Sequence, residues 1–166
     1  MNFTRSNLEV QIETFNYRHA VEILNSNLAV KDDISKILDS ASAVPVQKGE
    51  EGLTAKLSET FRAHGWSGEV PVVEGKLHTQ YFDFFKARVA IEIEFSRYEF
   101  VYRDFIRFLA AYNANKIDVG VIITNTRAGL ERIKHKSSGP SYERVCEELD
   151  WLRPTLTVPL WIIGLK

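Results

Sequence analysis

His78–Phe100, HTQYFDFFKARVAIEIEFSRYEF, is the stretch on which the reading of this chain turns. Its centre alternates: Val89, Ile91, Ile93 and Phe95 are apolar, with Ala90, Glu92 and Glu94 between them. Side chains of a strand point to opposite faces with a period of two. One face therefore packs, and the other carries two carboxylates roughly 7 Å apart, from two rises of about 3.3 Å. Asp83 lies nine residues before Glu92, across a short polar turn at Lys86–Arg88. With Asp83 at the end of the preceding hairpin strand, three acids meet at one place, the pattern of a metal site. Alternation alone favours a plain solvent face for Glu92 and Glu94, and acid-x-acid on a strand is a weak motif. Asp83 at hairpin distance brings the metal reading level with the plain one.

The whole sequence sets the frame. Its 166 residues suit one domain, 1–166, long enough to bury a core. Apolar and charged fractions of 45% and 26% are those of an ordinary soluble protein. There is no apolar run of about 18 residues to span a membrane, and the first ten residues lack a signal-peptide layout. The single cysteine, Cys146, cannot form an internal disulfide or anchor a Cys-based zinc site. Together these point to a reducing, cytoplasmic setting. A net charge of −1 gives no general support for nucleic-acid binding, which would need a local basic patch and a metal to neutralise the acids.

Outward from the hairpin, Leu8, Val10 and Ile12 alternate with polar residues as an edge strand does. Tyr17–Leu24 has helical spacing, broken by Asn25–Asn27, and Asp32 or Asp33 can cap a helix through Ile34, Ile37 and Leu38. Residues 40–52 read as a loop, Leu53, Leu57 and Phe61 as a helix ending near Gly65, and Glu69–Val73 as extended. Tyr98–Asn115 is helical, VGVIIT at Val119–Thr124 is a strand buried on both faces, and 125–140 is polar and basic. A helix at Tyr142–Leu152 and a strand at Leu156–Leu165 complete the order. The fold class is α/β, with a mixed central β-sheet flanked by helices and a parallel crossover through the Tyr98 helix.

Five blocks follow one another in a recognisable order: YRHAVEILN at Tyr17–Asn25, DFFKAR at Asp83–Arg88, EIEFSRYEF at Glu92–Phe100, VGVIIT, and VPLWIIGL at Val158–Leu165. In that order, over most of the chain, the sequence resembles the PD-(D/E)xK nucleases and, within them, the BglII/BstYI branch of type II restriction endonucleases. The resemblance implies a restriction-endonuclease-like core and Mg2+-dependent hydrolysis of phosphodiester bonds in double-stranded DNA. One or two ions would serve, with Mn2+ as a substitute. It also implies a homodimer on a palindromic site, restriction of foreign DNA, and a cognate DNA methyltransferase that protects the host.

By the same resemblance Asp83 and Glu92 are metal ligands, with Ile93 lending its main-chain carbonyl. Glu94 fills the third position, where many of these nucleases have lysine, and Glu69 matches a further active-site position. A glutamate at 94 supplies no positive charge, so the metal is expected to carry all of the charge stabilisation. Ser96, Arg97 and Tyr98 match a segment that reads bases in the major groove. An arginine there pairs with guanine, where BglII has an asparagine suited to adenine, each worth about 1–3 kcal/mol of discrimination. Ser137 and Ser138 match a second DNA-contacting loop, and Arg127–Lys136 suits phosphate contact, although by itself that stretch reads as a solvated face. The chain stops after WIIGLK, where family members continue into a basic extension that embraces DNA. Affinity and specificity are expected to suffer, the catalytic core less so.

The remaining residues have plainer readings. The four histidines share no metal-ligand spacing, with His19 structural; Cys146 is a partly buried filler; Trp66, Trp151 and Trp161 are core. Two alternatives stand beside the restriction enzyme: a non-catalytic DNA-binding relic, and a structure-specific repair or recombination nuclease on the same fold. Retention of Asp83, Glu92, Glu94 and Glu69 together speaks against decay.

Overall fold

The computed structural model describes residues 11–41, 49–75, 80–132 and 139–166. Twelve elements follow in chain order: β1 (Ile12–Tyr17), α1 (Ala20–Asn25), α2 (Leu28–Ala41), α3 (Gly49–Ala63), β2 (Ser67–Pro71), β3 (Tyr81–Lys86), β4 (Val89–Ile93), α4 (Tyr98–Asn113), β5 (Val119–Asn125), α5 (Arg127–Arg132), α6 (Tyr142–Leu152) and β6 (Leu160–Leu165). The strands form one six-stranded sheet in the order β1-β6-β5-β4-β3-β2. β4, β5 and β6 are parallel, and β1, β2 and β3 join antiparallel, so the sheet is mixed as the sequence predicts.

Helices cover both faces. Under α1–α3, Ile34, Ile37, Leu57 and Phe61 pack on Val121, Ile123 and Ile163. Under α4 and α6, Val101, Phe105, Phe108, Val145 and Leu149 pack on Ile122, Leu160 and Ile162. All seven residues of β5 are buried, which is why VGVIIT has no polar alternation to offer. Each of these side chains contributes about 1.5–3 kcal/mol on burial. Among the described residues no helix is long and apolar enough to cross a membrane.

Where the elements depart from the sequence reading, the reasons are local. The helix predicted from Tyr17 starts at Ala20, because Tyr17 is still in β1, its buried hydroxyl donating to the Leu156 carbonyl at 2.8 Å. Arg18 and His19 then take positive φ and swing the chain out of the sheet, leaving His19 exposed rather than inside a helix. α2 begins at Leu28, ahead of Asp32 and Asp33, and Asp33 pairs with Lys86 at 2.6 Å instead of capping. The loop expected over 40–52 is helical at both ends, its middle lying outside the described residues, as do Leu8 and Val10. The polar and basic stretch 125–140, left without an element in the sequence reading, contains α5. β6 begins only after Pro159. Trp66 and Trp161 are core, but Trp151 is 86% exposed.

The hairpin turn is the one the sequence predicts. Ala87 and Arg88 both have positive φ, the geometry of a two-residue turn that matches strand twist. Neither is glycine, and the conformation is held from outside. Arg88 forks onto Asp118 at 2.9 and 2.8 Å and reaches the Asn115 carbonyl at 2.8 Å, tying the turn to the approach to β5.

Gly120 of β5 lets α4 sit directly on the sheet. A Cβ there would meet Phe108 Cδ1 at 2.5 Å and Leu160 Cδ2 at 2.7 Å. Gly120→Ala is expected to cost about 1–3 kcal/mol by overpacking, read as a lower urea midpoint at unchanged slope. A midpoint within error of the parent's would show that α4 can shift freely.

Candidate functional site

β3 and β4 pair as Lys86–Val89, Phe85–Ala90 and Phe84–Ile91, and there the regular ladder stops. Beyond it the Asp83 carboxylate, rather than a main-chain carbonyl, accepts the Ile93 N–H at 2.8 Å. Phe82 stacks on Phe108 of α4 at 5.4 Å, while Phe84 stacks on Phe61 of α3 at 4.8 Å, on the other side of the sheet. Residues two apart in a regular strand share a face, so β3 turns over between them, at Asp83. On β2 the register sets Gly68 against Phe84 and Val70 against Phe82, which puts Glu69 level with Asp83. Glu69 has φ 53°, a left-handed conformation uncommon for a non-glycine residue. The irregularity thus crosses two strands and swings both acids to one place, as backbone outliers near functional sites do.

An open cleft of about 590 Å³ results, lined by Glu69, Gln80, Tyr81, Phe82, Asp83, Arg103 and Arg107. Glu92 lies behind it, 3% exposed, on a strand covered on both faces. The plain solvent-face reading of Glu92 and Glu94 is therefore not what the chain does. Arg107 of α4 lines the cleft and also donates through Nη1 to Glu92 Oε1 at 3.1 Å. The same nitrogen reaches Asp104 Oδ1 at 3.4 Å, and Nε and Nη2 reach Gln80 Oε1 at 3.2 and 2.7 Å. Arg103 approaches Glu94 Oε2 at 3.7 Å and Asp104 at 3.4 Å, with its guanidinium over the Phe100 ring.

This crowding of acids shows in their proton affinities. Burial, then the charge of Asp104, then that of Asp83 push the Glu92 carboxyl up to about 10, with Arg107 pulling the other way. Asp104, 1% exposed, is pushed up to about 7 by burial and then by Glu94, against Arg103 and Arg107. Asp83 and Glu92 are thus close neighbours whose repulsion Arg107 only partly offsets, and a small hard cation takes just such a pair, with carbonyl, water and phosphate oxygens completing its shell. Among the described residues no three acidic, histidine or cysteine side chains form a ready-made metal cage. The donor set fits a cation shared with water and substrate, and Ile93, next to Glu92, has its N–H engaged by Asp83.

Glu94 is placed differently from the other acids. It is 5% exposed, and its Oε1 accepts from the Ser96 N–H at 2.9 Å, the Ser96 hydroxyl at 2.7 Å and the Arg97 N–H at 3.3 Å. It caps the approach to α4, where free N–H groups and the helix dipole favour an anion. Ser96 and Arg97 are exposed. Tyr98 is buried, with the Arg144 guanidinium 3.4 Å from its ring centroid, so it supports that segment from beneath. Ser137 and Ser138 lie outside the described residues, as does the end of Arg127–Lys136.

Sequence reasoning missed Gln80, Arg103, Asp104 and Arg107. A signal for them was present: Asp104 falls between Val101 and Phe108 on the apolar stripe of the helix, with arginines at i−1 and i+3. A charged residue on a buried stripe needs partners, and its neighbours are those partners.

A mixed six-stranded sheet of this order, with helices on both faces, has parallels among solved structures. The crystal structure of restriction endonuclease BglII complexed with a DNA 16-mer aligns with 94% of this chain and 78% of that one, with TM-score 0.74 and 24% identity. Free BglII aligns with 94% and 79%, with TM-score 0.67 and 23% identity. The fold is that of the BglII restriction endonuclease. The family model for restriction endonuclease BglII/BglIII matches residues 12–165. This chain belongs to that family, whose members are type II site-specific nucleases. No curated protein matches it in sequence.

The raised Glu92 carboxyl makes a stability prediction. The folded protein keeps a proton that the unfolded chain releases above its ordinary value of 4.5, so stability falls as pH rises from there towards 10. Glu92→Gln abolishes that loss. In chelator, the variant is expected to melt above the parent, by a margin that widens from about pH 5 to about pH 9. A margin that stays flat across this range would contradict it.

Proposed function

We propose that the protein is a Mg2+-dependent endonuclease that cuts double-stranded DNA at a specific site. The observation that carries this is the convergence of Asp83 and Glu92 beside a cleft edged by two arginines. Asp83 and Glu92 would hold magnesium, with the Ile93 carbonyl as a further oxygen. When bound, the ion supplies Lewis acidity towards a phosphoryl oxygen. Manganese, likewise a taker of oxygen ligands, is the natural substitute.

The chain's own groups do the rest. Glu69, exposed at the cleft and aimed by its left-handed backbone, receives a proton from the attacking water. The water oxygen bonds to phosphorus as the bond to the leaving sugar oxygen breaks, and solvent protonates that oxygen. Glu94, with three donors on one oxygen, is suited to positioning rather than to taking protons. It fixes Ser96 and Arg97 at the end of the same strand, where they can reach base edges in the groove. Arg97 with its exposed fork suits guanine. Arg127 and Arg132 of α5 offer charge for phosphates.

A homodimer on a palindromic site fits the outer surface. Tyr102, Ile106 and Tyr112 of α4 are exposed, Ile106 at 65%, and Trp151 of α6 is more so. Tyr102 and Ile106, one helical turn apart, form an exposed apolar strip that suits a self-complementary two-fold contact. A nuclease of this specificity requires its host to protect its own sites, hence a partner methyltransferase.

Purified protein with unmethylated plasmid in Mg2+, Mn2+, Ca2+ or chelator, followed by sequencing of the ends, tests the proposal. Discrete fragments are expected only with Mg2+ or Mn2+. Glu92→Ala should lower the cleavage rate by about a thousandfold or more, with DNA binding in Ca2+ largely kept; full cleavage by a clean preparation would remove Glu92 from the site. Separately, Ile106→Glu should shift sedimentation from dimer to monomer, and an unchanged dimer would place the contact elsewhere.

A further inference from the structure

The third position of the acidic strand is Glu94, so the strand carries no cation of its own, and the helix that follows supplies one. Arg107 is 14% exposed and stands between the cleft and Glu92, lining the one and bonding the other. Its guanidinium has five N–H donors in a fixed fork. Nε and one Nη2 hydrogen serve Gln80, and the two on Nη1 serve Glu92 and Asp104. One Nη2 hydrogen remains for the cleft. Asp104 holds the guanidinium through Oδ1, while its Oδ2 is buried with no partner among the described residues. An acid kept in so poor a place is explained by what it holds. Arg103 is the lesser candidate: it is more exposed, stacks on Phe100 and leans towards Glu94.

We propose that Arg107 is the protein-borne cation of the catalytic centre, a catalytic residue that donates to the phosphodiester oxygen gaining charge as water adds to phosphorus. Asp104 and Gln80 are its positioning residues. The inference rests on the endonuclease reading above. It also replaces the expectation that a metal alone carries the charge: a guanidinium held against Glu92 contributes, and its presence weakens metal binding by like-charge repulsion. A residue that merely builds the metal site would strengthen metal binding, so the two roles differ in sign.

Three measurements on Arg107→Gln and Arg107→Lys test this: single-turnover cleavage at saturating Mg2+, Mg2+ affinity by calorimetry without DNA, and DNA affinity in Ca2+. Arg107→Gln should cleave about a hundredfold more slowly or worse, bind Mg2+ roughly threefold or more tightly, and bind DNA nearly as well. Arg107→Lys should recover about tenfold or more of the lost rate, because it keeps the charge without the fork. Should Arg107→Gln fail to fold, Arg107→Lys against the parent decides: a rate of about a tenth of normal at unchanged Mg2+ affinity is expected, and the parent's full rate or a changed Mg2+ affinity would overturn the proposal. Arg107→Gln cleaving at the parent's rate, weaker Mg2+ binding in it, or Arg107→Lys no better than Arg107→Gln would each overturn the proposal. A parent protein that cuts no DNA in Mg2+ or Mn2+ would overturn the endonuclease reading itself, an outcome distinct from these.

Discussion

A carboxylate on a strand with both faces covered sets the terms for everything near it. Glu92 is in β4, behind helices on either side, where ionising the carboxyl costs several kcal/mol unless a cation stands beside it. Arg107 can reach it only if α4 crosses the sheet in one register, with Phe108 seated over Gly120 and Asp104 turned inward to hold the guanidinium. The register of α4 in turn fixes how the chain enters β5, which pairs with β4 from Val89–Val119 to Ile93–Ile123. Packing and charge thus specify the same arrangement.

The regularity of the sheet is given up in one place. β3 turns over at Asp83, and β2 takes a left-handed residue beside it at Glu69. A non-glycine residue at positive φ costs of order 1–3 kcal/mol. The parallel strands β4, β5 and β6, buried on both faces, supply the rigidity against which that cost is held. The stiff part of the sheet and its irregular part adjoin, and the acids sit at the join.

How much of this the sequence disclosed depends on the kind of signal. Val119–Asn125 was legible because a strand buried on both sides has no polar residue to hide it. Asp83 and Glu92 were legible through hairpin spacing and family resemblance, although the burial of Glu92 was not: alternation reports two faces, without saying what covers each. The helix predicted from Tyr17 failed because apolar spacing says nothing of a left-handed turn at Arg18 and His19. Glu94 looked like a partner of Glu92 because it stands two positions along the strand, yet β4 ends at Ile93 and the carboxylate folds back onto Ser96 and Arg97. Arg107 was hidden for a simpler reason. It is fifteen residues from Glu92, a separation only the crossover closes.

The strand order has a consequence for synthesis. β6 is made after every other strand, yet it lies second in the sheet, between β5 and β1. Among the described strands β1 pairs only with β6, across some 150 residues of chain, as in Ile12 with Leu165. Contacts so distant in sequence form late. On the ribosome the sheet therefore stays open at β5, and β1 has no partner strand, until Leu160–Leu165 has emerged from the exit tunnel. The sheet that carries Asp83 and Glu92 is thus closed only when the last of its strands has emerged.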